Sequence, residues 1–147
     1  MRLQSAVFTL EDTLFTLDGT QAREGLDKVL SIFKMEGVWL GSVTALDGET
    51  ARQRLERAGL ASDFRFVLTE AVALCPRDSG TMFERAMKRL HAEKGDTVVF
   101  SGSLCAIENA KAAGFRTVAV RGENDADWDA MRAAATESLE HYGELLG

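Results

Sequence analysis

The stretch Ala6 to Leu14, AVFTLEDTL, runs from an apolar segment into a hydroxyl, two adjacent carboxylates and a second hydroxyl. This is the outline of a phosphate-handling strand and turn. Such chemistry needs a carboxylate nucleophile at the strand's end, because an ionised carboxylate attacks phosphorus directly. Thr9 stands at that place. A threonine hydroxyl is a weak nucleophile until an adjacent base takes its proton, and no such base is evident in the sequence. The scaffold is expected to be kept and the reactive group lost.

The elements that must position these residues follow from hydrophobic patterning. Short apolar runs rich in valine and phenylalanine alternate with longer amphipathic stretches, the pattern of a parallel sheet with helices on both faces. The spacing predicts five strands: Ala6 to Leu10, Val38 to Thr44, Phe64 to Leu68, Thr97 to Phe100 and Thr117 to Val120. Leu26, Val29, Leu30, Ile32 and Phe33 recur at helical spacing before a cap at Gly37. Further helices are predicted over Thr50 to Ala58, Thr81 to His91 and Leu104 to Ala113, ended by Gly59, Gly95 and Gly114. From Ala126 to Leu146, Trp128, Met131, Ala135, Leu139 and Tyr142 share one helical register, with a break at Gly143. That stripe is expected to cover the sheet's flank, or to be a dimer or partner surface if exposed.

In such a sheet, ligands bind beyond the carboxyl ends of the strands, where strand order reverses. The segments that decide function are therefore Thr9 to Thr13, Thr44 to Gly48, Thr69 to Ser79, Ser101 to Ser103 and Arg121 to Asp125.

Composition bounds the function. At 147 residues and 46% hydrophobic, the chain is expected to be one domain, residues 1–147, burying roughly two-thirds of its unfolded surface. A net charge of -6 disfavours nucleic acid and anionic membranes, since no basic stripe displaces counterions. Acidic residues interrupt the N-terminal segment before signal-peptide or membrane-span length is reached, so a cytoplasmic location is the default. Cys75 and Cys105 fit no CxxC spacing and read as reduced thiols.

Three segments carry a family resemblance. FSGSLCAIENAKAAGFRTVAV, Phe100 to Val120, is similar to the fourth-motif segment of the haloacid dehalogenase superfamily, in the branch of β-phosphoglucomutase and related phosphatases. GVWLGSVTA resembles its second-motif strand, and MFERAMKRL the helix after its third-motif lysine. The resemblance implies a three-layer, Rossmann-like α/β fold. It puts the first motif, Asp-x-Asp-x-Thr, on Thr9, Leu10, Glu11, Asp12 and Thr13, so the nucleophile is missing and the general acid is Glu11. The phosphate-binding hydroxyl falls on Thr44 and the lysine near Arg77. The magnesium-holding acidic pair falls on Ser101 and Gly102, followed by Ser103. A second register, FTLDGT, would put Thr16 at the nucleophile and Asp18 at the acid; it also lacks the nucleophile. Only 23 residues, Phe15 to Gly37, lie where capped relatives insert a small domain, so no cap is expected.

Two functions stay open beside the role of a purely structural subunit. One is a catalytically degenerate domain, without metal or cofactor, that binds a protein partner, a second copy of itself or a phosphorylated small molecule through Glu11, Asp12, Thr13, Thr44, Arg77 and Ser101 to Ser103. The other is a magnesium-dependent phosphatase or phosphoglucomutase-like enzyme whose carboxylates, from Glu11, Asp12 or Asp18, are displaced. Plainer roles stand beside these. Glu11, Asp12 and Thr13 also suit a turn or cap, and Thr44 the end of a buried strand. Arg77 is expected to be solvated, Cys105 to be a half-buried packing thiol, and His91 and His141 to cap helices or face water.

Overall fold

The computed structural model describes residues 3–16, 18–123 and 125–146. The valine-rich runs form parallel strands β1 (Ser5–Thr9), β2 (Trp39–Thr44), β3 (Val67–Thr69), β4 (Thr97–Ser101) and β5 (Arg116–Val120). A sixth strand, β6 (Glu137–Leu139), joins them in the order β3-β2-β1-β4-β5-β6. Successive side chains alternate between faces. Ala6, Phe8, Val98, Phe100, Val118 and Val120 therefore enter one core with Leu26, Val29 and Leu30 of α1 (Leu26–Met35) and Leu55 of α2 (Gly48–Arg57). Val7, Val43 and Val99 enter the other, against α4 (Gly80–Arg89) and α5 (Leu104–Ala112), with the short α3 (Glu70–Ala73) leading into α4. Both faces are covered, which is why the central strands read as unbroken apolar runs.

The sheet has six strands rather than the five expected, and the extra one comes from the segment read as a single C-terminal helix. Only α6 (Trp128–Ala134) is helical there, followed by β6 and a 3₁₀ turn at Tyr142–Leu145. Trp128 and Met131 pack with Ile107 and Ala119 on one face, whereas Leu139 and Tyr142 belong to the core on the other. One straight helix cannot reach both. Thr136 turns the chain alongside β5, its hydroxyl accepting from Thr117 N at 3.1 Å while Thr136 N donates to Thr117 Oγ1 at 3.0 Å.

The third strand begins at Val67 rather than Phe64. Phe66 lies against Gly41, where an added Cβ would come within 2.5 Å of the ring. Between β1 and α1 the described residues form turns and a single antiparallel bridge, Phe15 to Ala22, and no inserted domain. Tyr142, buried, donates its hydroxyl to Thr13 O at 2.7 Å and fastens the turn after β1 to the C-terminal segment.

Candidate functional site

Strand order reverses between β1 and β4, whose onward neighbours lie on opposite sides. Thr9 ends β1 and Ser101 ends β4, so the crevice of this fold type opens between them. Both are fully buried. Thr9 Oγ1 lies 2.6 Å from Ser101 Oγ and 2.7 Å from Thr13 Oγ1. The hydroxyls of Thr9 and Thr13 reach Asp12 Oδ1 at 3.0 and 2.9 Å. Gly102 N donates to Thr13 Oγ1 at 2.9 Å, and Ser103 N to Ser101 Oγ at 3.0 Å. The result is a closed network of hydroxyls under the Asp12 turn.

A base therefore does stand beside Thr9, which the sequence did not disclose. The i to i+3 approach of Asp12 depends on the turn's conformation. Thr9 itself is fully buried, Asp12 is half-buried, and the other oxygen of Asp12 accepts from Arg77 Nη2 at 2.9 Å.

Arg77 is the centre of the site. Its side chain is only 11% exposed, contrary to the solvated role expected for it. Besides Asp12, its Nε donates to Asp78 Oδ1 at 2.5 Å, and Nη1 lies 3.6 Å from Glu11 Oε1. Burial works against its charge, but the hydrogen bond to Asp78 and the charges of Asp12, Asp78 and Glu11 outweigh that and raise its pKa above the usual arginine value. The loop is braced at its base too, where Arg77 N donates to Glu70 Oε2 at 2.7 Å. Of the three carboxylates around its guanidinium, Glu11 and Asp12 come from the turn after β1, 65 or more positions away in the chain, so no local pattern marks the enclosure of Arg77.

Glu11 faces β2. Its Oε1 accepts from Thr44 Oγ1 at 2.9 Å and its Oε2 from Ala45 N at 2.8 Å. Ser103 caps α5 by accepting from Ala106 N at 3.3 Å, and donates to Asp78 Oδ2 at 2.9 Å. Gly102 has no room for a side chain: a Cβ there would lie 2.4 Å from Asp12 O.

All the positions expected from the sequence, Glu11, Asp12, Thr13, Thr44, Arg77, Ser101, Gly102 and Ser103 with Thr9, meet in this crevice. Asp78 and Glu70 were missed; the only signal for Asp78 was its place beside Arg77. The second register does not reach the crevice. Asp18 accepts from the hydroxyls of Thr16 and Thr20, both at 2.7 Å, and from Thr20 N at 3.1 Å, in the exposed turn after β1. Cys105 is exposed rather than half-buried, because Ala106, Ile107 and Ala110 are the inward residues of α5. Among the described residues, no group of three or more His, Cys, Asp or Glu side chains is placed to hold a metal ion. No helix among them is long and apolar enough to cross a membrane.

A parallel sheet in this order, helices on both faces and a polar crevice at its switch point define a three-layer, Rossmann-like α/β protein. The model of the haloacid dehalogenase-like hydrolases matches residues 6–120, and the chain belongs to that family. Among solved structures it is similar to a protein described as a β-phosphoglucomutase from Thermotoga maritima, at 20% identity and TM-score 0.75, covering 86% of this chain and 59% of that one. It is also similar to a haloacid dehalogenase-like family hydrolase from Streptococcus pneumoniae, at 11% identity and TM-score 0.81, covering 98% of this chain and 97% of that one. A phosphatase of the same superfamily from Thermococcus onnurineus shares 22% identity at TM-score 0.72, over 86% of this chain and 58% of that one. These likenesses establish the fold. No curated protein sequence matches the chain.

Proposed function

We propose that this chain is a catalytically degenerate member of its family, a pseudo-phosphatase that works by binding a protein partner. The observation that supports this most directly is the guanidinium of Arg77 seated on Asp12, Asp78 and Glu11. A carboxylate that is to hold a metal or transfer a proton to a substrate needs free oxygens facing the crevice. Asp12 is instead engaged by Arg77 and two hydroxyls, and Glu11 by Thr44 and the backbone of Ala45.

The donor set does not fit the magnesium ion that the family implies. Magnesium takes about six oxygens in octahedral array, usually with one or two carboxylates from the protein. Here hydroxyls stand at Thr9 and Ser101, Gly102 has no space for a side chain, and a fixed cation sits 2.9 Å from Asp12. The charge balance, three carboxylates around one guanidinium, also weighs against a phosphorylated ligand, because charge building on a phosphoryl group needs surplus cations or donors.

Hydrolysis of p-nitrophenyl phosphate with magnesium tests the reading, using wild type, Asp12→Ala and, as a control in the exposed turn, Asp18→Ala. The expected result is no metal-dependent turnover in any of them. Turnover in wild type that disappears in Asp12→Ala would restore the enzyme.

A further inference from the structure

Just beyond β3 the chain presents two large apolar side chains to solvent. Val72 is 69% and Leu74 84% exposed, and Pro76 beyond them is exposed as well. Leu74 has φ 60° and ψ 38°, the left-handed conformation, which is costly for leucine and free for glycine. The knuckle is nevertheless braced. Thr69 Oγ1 accepts from Val72 N at 3.3 Å, Leu74 N donates to Glu70 O at 2.8 Å, and Glu70 Oε2 accepts from Arg77 N, so the turn is tied to the half-buried ion cluster. Neither side chain belongs to a core cluster. A strained turn therefore aims a leucine at water and is held there by Thr69 and Glu70.

We propose that this knuckle is the docking site for a separate protein whose surface carries lysine or arginine around large apolar side chains; the proposal rests on the non-catalytic, partner-binding reading above. Charge selects the occupant. The half of the sheet edge around the knuckle carries Glu11, Asp12, Asp47, Glu70 and Asp78, and the guanidinium among them, Arg77, is already paired. Asp47 is close because it precedes Gly48, whose added Cβ would touch Thr69 at 3.9 Å. A basic rim complements this edge, and its steering would act at long range and fade with salt. A symmetric contact with a second copy would set this acidic patch against the same acidic patch.

The test uses the full chain, isotope-labelled, titrated with two short peptides. Both carry leucine and phenylalanine, in one interspersed with lysine and arginine, in the other with glutamate. Expected are amide shifts in residues 69–78 and 45–49 with the basic peptide only, weakened as salt rises. The double change Val72→Ser and Leu74→Ser should loosen binding about tenfold. Leu74→Gly keeps the backbone turn and should loosen it too, separating loss of contact from loss of fold. Absence of shifts, shifts elsewhere, equal binding of the acidic peptide, or wild-type affinity in the double variant overturns the proposal. So does self-association in sedimentation that Leu74→Ser abolishes, which would assign the knuckle to a second copy. Phosphatase turnover in the same preparation would sink the non-catalytic reading, whereas no turnover and no peptide binding sinks this proposal alone.

Discussion

Arg77 carries more of this site than any other side chain, because three carboxylates brought within a few ångströms repel one another unless a cation stands between them. Its planar fork contacts Asp12 and Asp78 at once, which an ammonium cannot reproduce. Arg77→Ala is expected to cost about 2 to 3 kcal/mol of unfolding free energy in urea, since it leaves partly buried carboxylates unpaired. Arg77→Lys should recover part of that loss. Tyr142 gives a second handle, being the only tyrosine in the chain. Burial pushes its pKa above the ordinary 10.0; Arg23 opposes the shift and the Asp12 charge adds to it. A raised folded-state pKa means that this stability is complete below the unfolded value and is lost as pH rises through the folded one. Phenolate absorbance in an alkaline titration should therefore appear late and together with loss of circular dichroism. Ionisation near 10.0 with the fold intact would contradict the buried placement.

The turn between α3 and α4 is where local propensity and structure disagree. Glycine is the residue that a left-handed position ordinarily selects, yet leucine occupies position 74. Leu74→Gly removes the Cβ clash and touches no core contact, so it should raise stability by about 1 kcal/mol, less what the freer unfolded chain gives back. Urea midpoints measure this, and a loss of stability would show that Leu74 is needed inside the fold. The C-terminal segment makes the complementary point. Helical spacing from Trp128 to Met131 is real, but β6 completes a ladder with β5 and sends Leu139 to the opposite face.

Taken as a whole, the molecule is one continuous six-stranded sheet, tied across its middle by the β1 and β4 ladder and the Ser5 and Thr97 hydroxyls 2.7 Å apart. Both faces draw on the same strands, so neither core can dissolve without exposing the other. Unfolding is expected to be a single transition. Trp39 starts β2 and Trp128 starts α6, so the two report from separate elements. Fluorescence of Trp39→Phe and of Trp128→Phe, and far-ultraviolet dichroism, should give coincident urea curves once each is scaled to its own stability. An early Trp128 signal would instead mark α6 and β6 as a separately melting edge.

Strand and helix alternation, the glycine stops at Gly59 and Gly114 and the placing of Thr44 at a strand end, with Thr9 and Ser101 within one residue of theirs, were legible in the sequence, because they depend on near-neighbour periodicity and on a fold type whose crevice position is general. Which functional side chains bond to one another was not. The burial of Arg77, the approach of Asp12 to Thr9 and the closing of Gly102 onto the Asp12 turn join residues 65 to 92 positions apart, or depend on one turn's dihedral angles. Sequence spacing determines which residues arrive at the sheet's edge. Only the packed structure decides that a guanidinium, drawn in by carboxylates from separate loops, fills the space between them.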